Sequence, residues 1–210
     1  MSDKIAFFPL NLVVFPGEKL NLHIFEPRYK QLIKDCINQE IEFGIPTYLD
    51  GSIKRFGTLM RIESIVNEYP DGRMDISTIG TRIFRAQEFI NPIENKLYSG
   101  GKVIWVEDND FVDDASKRKL VKDARELFEL MGIEVEVDDS QPYLSYKLGH
   151  KVGLSTSQEY QLLTLENEKS RVDFLLDFIE RALPYIKEVE RTKLRVKMNG
   201  HFKNLDPLKF

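Results

Sequence analysis

Hydrophobic and polar positions along the first hundred residues keep a period of two, broken by prolines and glycines, and then change to a helical period. The stretch Phe7 to Tyr29 reads FFPLNLVVFPGEKLNLHIFEPRY, an apolar run interrupted at Pro9, Pro16 and Pro27. Proline cannot donate to a β ladder and collects at strand starts, edges and bulges, so these three residues divide the run into elements. Leu10 to Phe15 predicts a short apolar strand, and Pro16-Gly17-Glu18-Lys19 a turn. Leu20, Leu22 and Ile24 alternate with Lys19, Asn21 and His23, the pattern of a half-buried strand. Glu26-Pro27 predicts a helix start, where the missing proline N–H costs nothing. Tyr29, Leu32, Ile33, Cys36 and Ile37 then mark one apolar face.

Phe43 to Leu49 and Gly57 to Val66 flank Asp50-Gly51, a strong hairpin signal. A second turn, Tyr69 to Arg73, leads into the alternating Met74 to Thr78, and Gly80 predicts a bulge or a close backbone approach. Ile83 to Phe89 and Lys102 to Val106 complete a mostly antiparallel β domain, closed or nearly so, over residues 1–106. Gly100-Gly101 predicts a tight turn before the last strand. The remainder is helical. One helix starts near Ala115, buries Leu120, Ala124, Leu127, Phe128 and Met131, and ends at Gly132. Ile133 to Asp139 reads as a loop or a stray strand, and Tyr143 to Leu148 as a short helix. Ser155 and Gln158 form a capping box, and Val172, Leu175, Leu176, Ile179 and Leu183 mark a long helix that Pro184 should kink or end. The fold class is therefore α+β: a β domain with one early helix, a helical bundle over 107–198, and an irregular tail over 199–210.

Composition narrows the function classes. The chain has 210 residues, 42% hydrophobic and 30% charged, an ordinary globular balance. Its net charge of −4 argues against duplex binding. That figure hides an asymmetry, because residues 181–210 hold eight Lys/Arg and three acids, +5, which leaves −9 elsewhere. A solvated helix face accounts for such a run, and a contact surface is the alternative. One cysteine excludes an intramolecular disulfide and a cysteine-based metal cluster. The start lacks a signal-peptide core and no window reaches a membrane span, so the expected location is cytoplasmic.

Catalytic constellations are missing. The only Gly-Lys step, Gly101-Lys102, is followed by Val103, which excludes a phosphate-binding Walker loop. His23, His150 and His201 share no metal-ligand spacing, and His23 falls on the polar side of a strand. Cys36 sits on an apolar helix face as a buried, inert thiol. No Gly-x-Ser-x-Gly elbow occurs, and Asp108-Asn109-Asp110 lacks the spacing of a calcium loop. No cofactor is expected.

Phe8-Pro9-Leu10, Val13-Val14-Phe15-Pro16-Gly17 and Leu20-Asn21-Leu22-His23-Ile24-Phe25-Glu26-Pro27-Arg28-Tyr29 closely resemble the start of the Lon protease N-terminal domain, with its FPL, V-x-FPG and LHIFEPRY elements. The likeness continues through Phe43-Gly44-Ile45, Gly57-Thr58, Asp71-Gly72-Arg73 and Ile79 to Arg85, and spans residues 5 to 183. The resemblance implies a PUA-like β domain followed by a helical bundle, and recognition of unfolded or damaged protein. It also implies ATPase and Ser–Lys protease domains that 210 residues cannot hold, so a stand-alone, non-catalytic module is expected.

The expected function is capture of exposed apolar segments, in the manner of an adaptor in protein quality control. Expected partners are unfolded protein and a protease or chaperone, with homo-oligomers through the long helix and no membrane. The candidate surface comprises Phe25, Glu26, Tyr29, Tyr69 and Arg73, beside the turn from Asn67 to Arg73. Core packing is the competing expectation for Phe25 and Tyr29, and an Arg28–Glu26 pairing for those charges. RNA binding through the basic C-terminal segment is the alternative function.

Overall fold

The computed structural model describes residues 3–107, 109–138 and 142–201. In chain order the elements are β1 (Asp3–Phe7), β2 (Lys19–Ile24), α1 (Pro27–Gln39), β3 (Phe43–Leu49), β4 (Ser52–Glu68), β5 (Met74–Ile90), β6 (Ser99–Trp105), α2 (Asp114–Met131), α3 (Leu144–Gly149), α4 (Thr156–Thr164) and α5 (Glu168–His201). They form two compact units, Met1–Asn109 with Gly149–Asn167, and Asp110–Leu148 with Glu168–Phe210.

In the first unit β5 serves three neighbours. Its first part, Met74 to Ile79, pairs antiparallel with β2, its last part, Phe84 to Ile90, pairs with β6, and β4 runs beside both. With β3 antiparallel to β4, and β1 parallel to β3 and antiparallel to β6, the strands close a ring β1-β3-β4-β5-β6. β2 lies outside the ring and, among the described residues, pairs with no strand but β5. Gly80 stands where β5 passes from β2 to β6. Its N–H donates to Glu18 O and its carbonyl accepts from Gly17 N–H, both at 2.8 Å, and a Cβ would sit 2.5 Å from Phe15 O. The expected close approach is therefore what the chain uses Gly80 for.

Other elements differ from their sequence pattern for local reasons. Leu10 to Phe15 forms no strand beyond an isolated bridge from Leu10 to Thr47. Leu10 bonds to the β3 backbone, while two groups at the other end turn to side chains: Thr58 Oγ1 donates to Val14 O, and Phe15 N–H donates to Glu18 Oε2 at 2.9 Å. Gly100 and Gly101 lie inside β6, not in a turn, because a Cβ on Gly100 would meet Ile5 O at 2.5 Å. Asp50 (φ 52°) and Gly51 (φ 73°) make the expected two-residue hairpin between β3 and β4, both in the left-handed region. α1 covers one end of the sheet, burying Tyr29, Leu32, Ile33 and Cys36 against Phe8, Ile24, Phe43, Met60 and Met74. The Cys36 thiol is pushed up to about 12 by burial first and by Asp35 second, which keeps it protonated and inert.

Gly149–Asn167, which the hydrophobic period groups with the helices, packs with the strands. Phe56 N–H donates to Tyr160 Oη at 3.2 Å. His150 reaches Glu159 Oε1 through Nδ1 at 2.7 Å and Glu18 Oε2 through Nε2 at 3.0 Å, with its ring 4.6 Å from that of Phe15. Ser155 and Gln158 complete the capping box of α4.

The second unit is helical. Asp113 caps α2 by accepting from Ser116 N–H at 2.8 Å, and Gly132 ends it in the left-handed region at φ 67°. Val172, Leu175 and Ile179 of α5 are fully buried. So is Arg171, which donates through Nε to Ser145 Oγ at 3.1 Å, pairs with Glu168 Oε2 at 3.1 Å and lies 4.3 Å from the Tyr146 ring centre. A buried charge persists only when paired and hydrogen-bonded in this way. Met131 is exposed, contrary to its place in the helical pattern, and residues 133–138 carry no strand. Pro184 lies inside α5 without ending it. The helix continues to His201, into the expected irregular tail, and the rest of that tail, 202–210, lies outside the described residues.

Burial of the His150 ring lowers its pKa, but hydrogen bonds and charge from Glu18 and Glu159 outweigh burial and lift it to about 9. A group with a raised folded-state pKa stabilises fully below its unfolded value, near 6.5, and the contribution is lost as pH rises through 9. The denaturant midpoint should therefore fall across that window in the wild type and fall less steeply in His150→Gln. Equal slopes in the two proteins would contradict the pairing.

Candidate functional site

The turn between β4 and β5 and the junction between β2 and α1 meet at one end of the first unit. β2 stops at the buried Ile24, Phe25 follows it, and Glu26 is the extended N-cap of α1 with φ −70° and ψ 137°. Pro27 then occupies the first helical turn, where it fixes φ at no hydrogen-bonding cost. The Glu26 carbonyl accepts from Tyr29 and Lys30 N–H at 3.0 and 2.9 Å, while its carboxylate pairs with Arg28 at 2.8 Å. Across from this, Gly72 N–H donates to Tyr69 O at 2.8 Å, with Gly72 at φ 77°. Asp71 accepts from Arg73 Nε at 2.7 Å, and the Asp71 carbonyl accepts from Lys30 Nζ at 2.9 Å. Lys30 thus ties α1 to the hairpin tip.

The strand register joins the two parts. His23 lies opposite Asp75. Its Nδ1 donates to Asp75 Oδ1 at 2.5 Å, and Tyr69 Oη donates to Asp75 Oδ2 at 2.8 Å. These bonds, His23 first and Tyr69 second, hold the Asp75 carboxyl below the usual range. Asp71 is lowered in the same direction, first by the Arg73 backbone N–H and then by the Arg73 guanidinium. The His23 ring stacks on Phe25 with centres 6.0 Å apart, meets Tyr69 edge-on at 6.0 Å, and Arg73 covers the Tyr69 ring at 5.0 Å.

Of the residues singled out by sequence, Phe25, Glu26, Tyr69 and Arg73 therefore line one surface. Phe25 is 59% exposed, against the expectation of core packing. Tyr29 is 8% exposed and lies 3.8 Å from the Phe8 ring, so it supports the surface from inside the core and takes no place on it. Burial also raises its pKa. His23 and Asp75 complete the cluster and were not among the candidates, because only the β2–β5 register brings them together. A second concavity of about 520 Å³ opens between α1 and β4, lined by Ile37, Ile41, Ile62 and Ile65 among others. Among the described residues no group of three or more His, Cys, Asp or Glu could hold a metal ion, and no helix is long and apolar enough to cross a membrane.

The family model of the ATP-dependent protease La (LON) substrate-binding domain matches residues 4–181. The chain belongs to this family. Among solved structures, the Lon N-terminal domain protein from Xanthomonas campestris is 28% identical, with a TM-score of 0.66 over 83% of this chain and 98% of its own. The N-terminal domain of Mycobacterium avium complex Lon protease shares the fold at 14% identity, with a TM-score of 0.62 over 85% of this chain and 98% of its own. Comparison with curated proteins gave no match. The region that makes this chain a LON substrate-binding domain contains the whole surface described above.

Phe25→Ala should change unfolding free energy by no more than about 0.5 kcal/mol, since its ring packs little on folding. Tyr29→Ala should cost about 3–5 kcal/mol, the range for a buried aromatic. Urea unfolding of both variants checks the assignment, and similar costs would overturn it.

Proposed function

We propose that this protein is a non-catalytic module that binds unfolded or exposed apolar protein segments, and that it acts as an adaptor in protein quality control. The observation that carries the reading is the exposed Phe25 ring, continuous with His23, Tyr69 and Arg73 at the end of an open strand. Aromatic rings with a polar handle offer large contact area at low entropy cost, and Arg beside them adds a planar cation. Membership of a substrate-binding family supports protein as the ligand. The charges around the rings are already paired within the surface, Arg28 with Glu26, Arg73 with Asp71 and His23 with Asp75. What remains for a ligand is apolar area and backbone, which favours a salt-tolerant interaction.

RNA binding through α5 draws less support. Arg181, Lys187, Arg191 and Lys193 each lie against a carboxylate, of Asp177, Glu126, Glu188 and Glu190 respectively. Those pairings reduce the free positive charge that a phosphate backbone needs.

Fluorescence anisotropy of a labelled, permanently unfolded protein, titrated with the chain at low and high salt, tests the reading. Binding should saturate and change little with salt, and Phe25→Ala or Tyr69→Ala should weaken it by roughly tenfold or more. Binding confined to labelled single-stranded RNA and lost with salt would replace this reading with the alternative.

A further inference from the structure

We infer that β2 is the docking edge for an extended segment of an unfolded client, which adds to the sheet as a further strand. This rests on the proposed capture of unfolded protein and names how the client is held. Among the described residues β2 pairs with β5 alone, and it is the terminal strand of the sheet order. The direction of its free hydrogen-bonding groups follows from the register. Gly80 N–H donates to Glu18 O and Thr78 Oγ1 donates to Leu20 O at 2.7 Å, so the Glu18 and Leu20 carbonyls face β5, and along a strand that direction recurs at every second residue. Leu20, Leu22 and Ile24, opposite Thr78, Ile76 and Met74, therefore turn their backbone groups to β5. Lys19, Asn21 and His23 turn theirs outward, and among the described residues no hydrogen bond reaches the backbone of these three.

An outward row of alternating N–H and C=O groups is matched along its whole length by another extended main chain. Two of the usual protections of a sheet edge, proline and a bulge, are missing. Lys19–Ile24 contains no proline, its pairing with β5 has no bulge, and Lys19 is drawn to Glu63 at 3.4 Å. His23 is likewise held by Asp75, so both side chains are drawn toward carboxylates. Leu20 and Leu22 are only partly buried against the core, and their uncovered sides flank this row. A client strand would cover them with its own alternate side chains, while Phe25 continues the apolar strip past the strand's end. The inferred ligand is a segment of about five residues, apolar at every second position and free to become extended. Main-chain recognition tolerates many sequences and disfavours segments whose backbone groups are already paired within a fold.

Residue-resolved hydrogen exchange of the whole chain, alone and saturated with reduced, carboxymethylated lactalbumin, reads this directly. Exchange of the Asn21 and His23 amides should slow by roughly tenfold or more on binding, while Leu20 and Leu22, already bonded to β5, stay as they were. Unchanged exchange at Asn21 and His23 under saturation would overturn the edge. Asn21→Pro removes one outward donor at a position an edge strand tolerates, and should weaken binding by roughly tenfold with Tm retained, whereas Asn21→Ala binds as the wild type does. If Asn21→Pro folds and binds normally, the edge is wrong and the proposed function stands. If the wild type binds no unfolded protein, both fall.

Discussion

The first unit depends on one constraint: β5 has to hydrogen-bond to β2, β4 and β6, and it can do so only if its backbone passes close beneath the Phe15–Glu18 turn at Gly80. Any side chain there would push against a main-chain carbonyl that cannot move aside. Because the passage is tight, the ring of strands closes through the later part of β5, and its earlier part is left to carry β2 outside the ring. The same turn supplies Glu18 to His150, so the segment after α3 is attached where the strand changes partners. A glycine and a turn thus determine which strand remains open.

The candidate surface is a consequence of that topology. β2 ends in Phe25 only because α1 begins at Glu26, and α1 is held down by Tyr29 in the core and by Lys30 on the hairpin tip. At this end Arg28 and Arg73 are held by Glu26 and Asp71, and Asp75 by His23 and Tyr69, and these contacts order the aromatic rings. The arrangement resembles a stiff apolar ledge more than an ionic pocket. Preorganisation of this kind lowers the entropy lost when a flexible client binds. The buried Ser145–Glu168–Arg171 network plays the corresponding role in the second unit, where it fixes helices and offers nothing to solvent.

Much of this fold can be read from residue order. The Asp50-Gly51 hairpin, the Pro27 helix start, the Ser155 capping box and the period-two strands follow from local chemistry, which tertiary contacts did not override. The exceptions share a cause. Leu10 to Phe15 has strand-like residues, but beyond the Leu10 bridge its Val14 and Phe15 backbone groups go to Thr58 and Glu18. Gly100 and Gly101 suggest a turn, yet they mark close approach between strands. Phe25 and Tyr29 have the same local signal, and only the register and the helix axis send one outward and the other inward. His23 with Asp75 was illegible for the same reason, since 52 residues separate them in the chain.

The most direct test of the open strand as the binding element is an NMR titration of the isotope-labelled chain with unfolded protein. Shifts should concentrate in Lys19 to Phe25 and in Tyr69 to Asp75. Shifts confined to the Ile37, Ile41 and Ile65 concavity, or to α2 and α5, would contradict it and move the site elsewhere in the molecule.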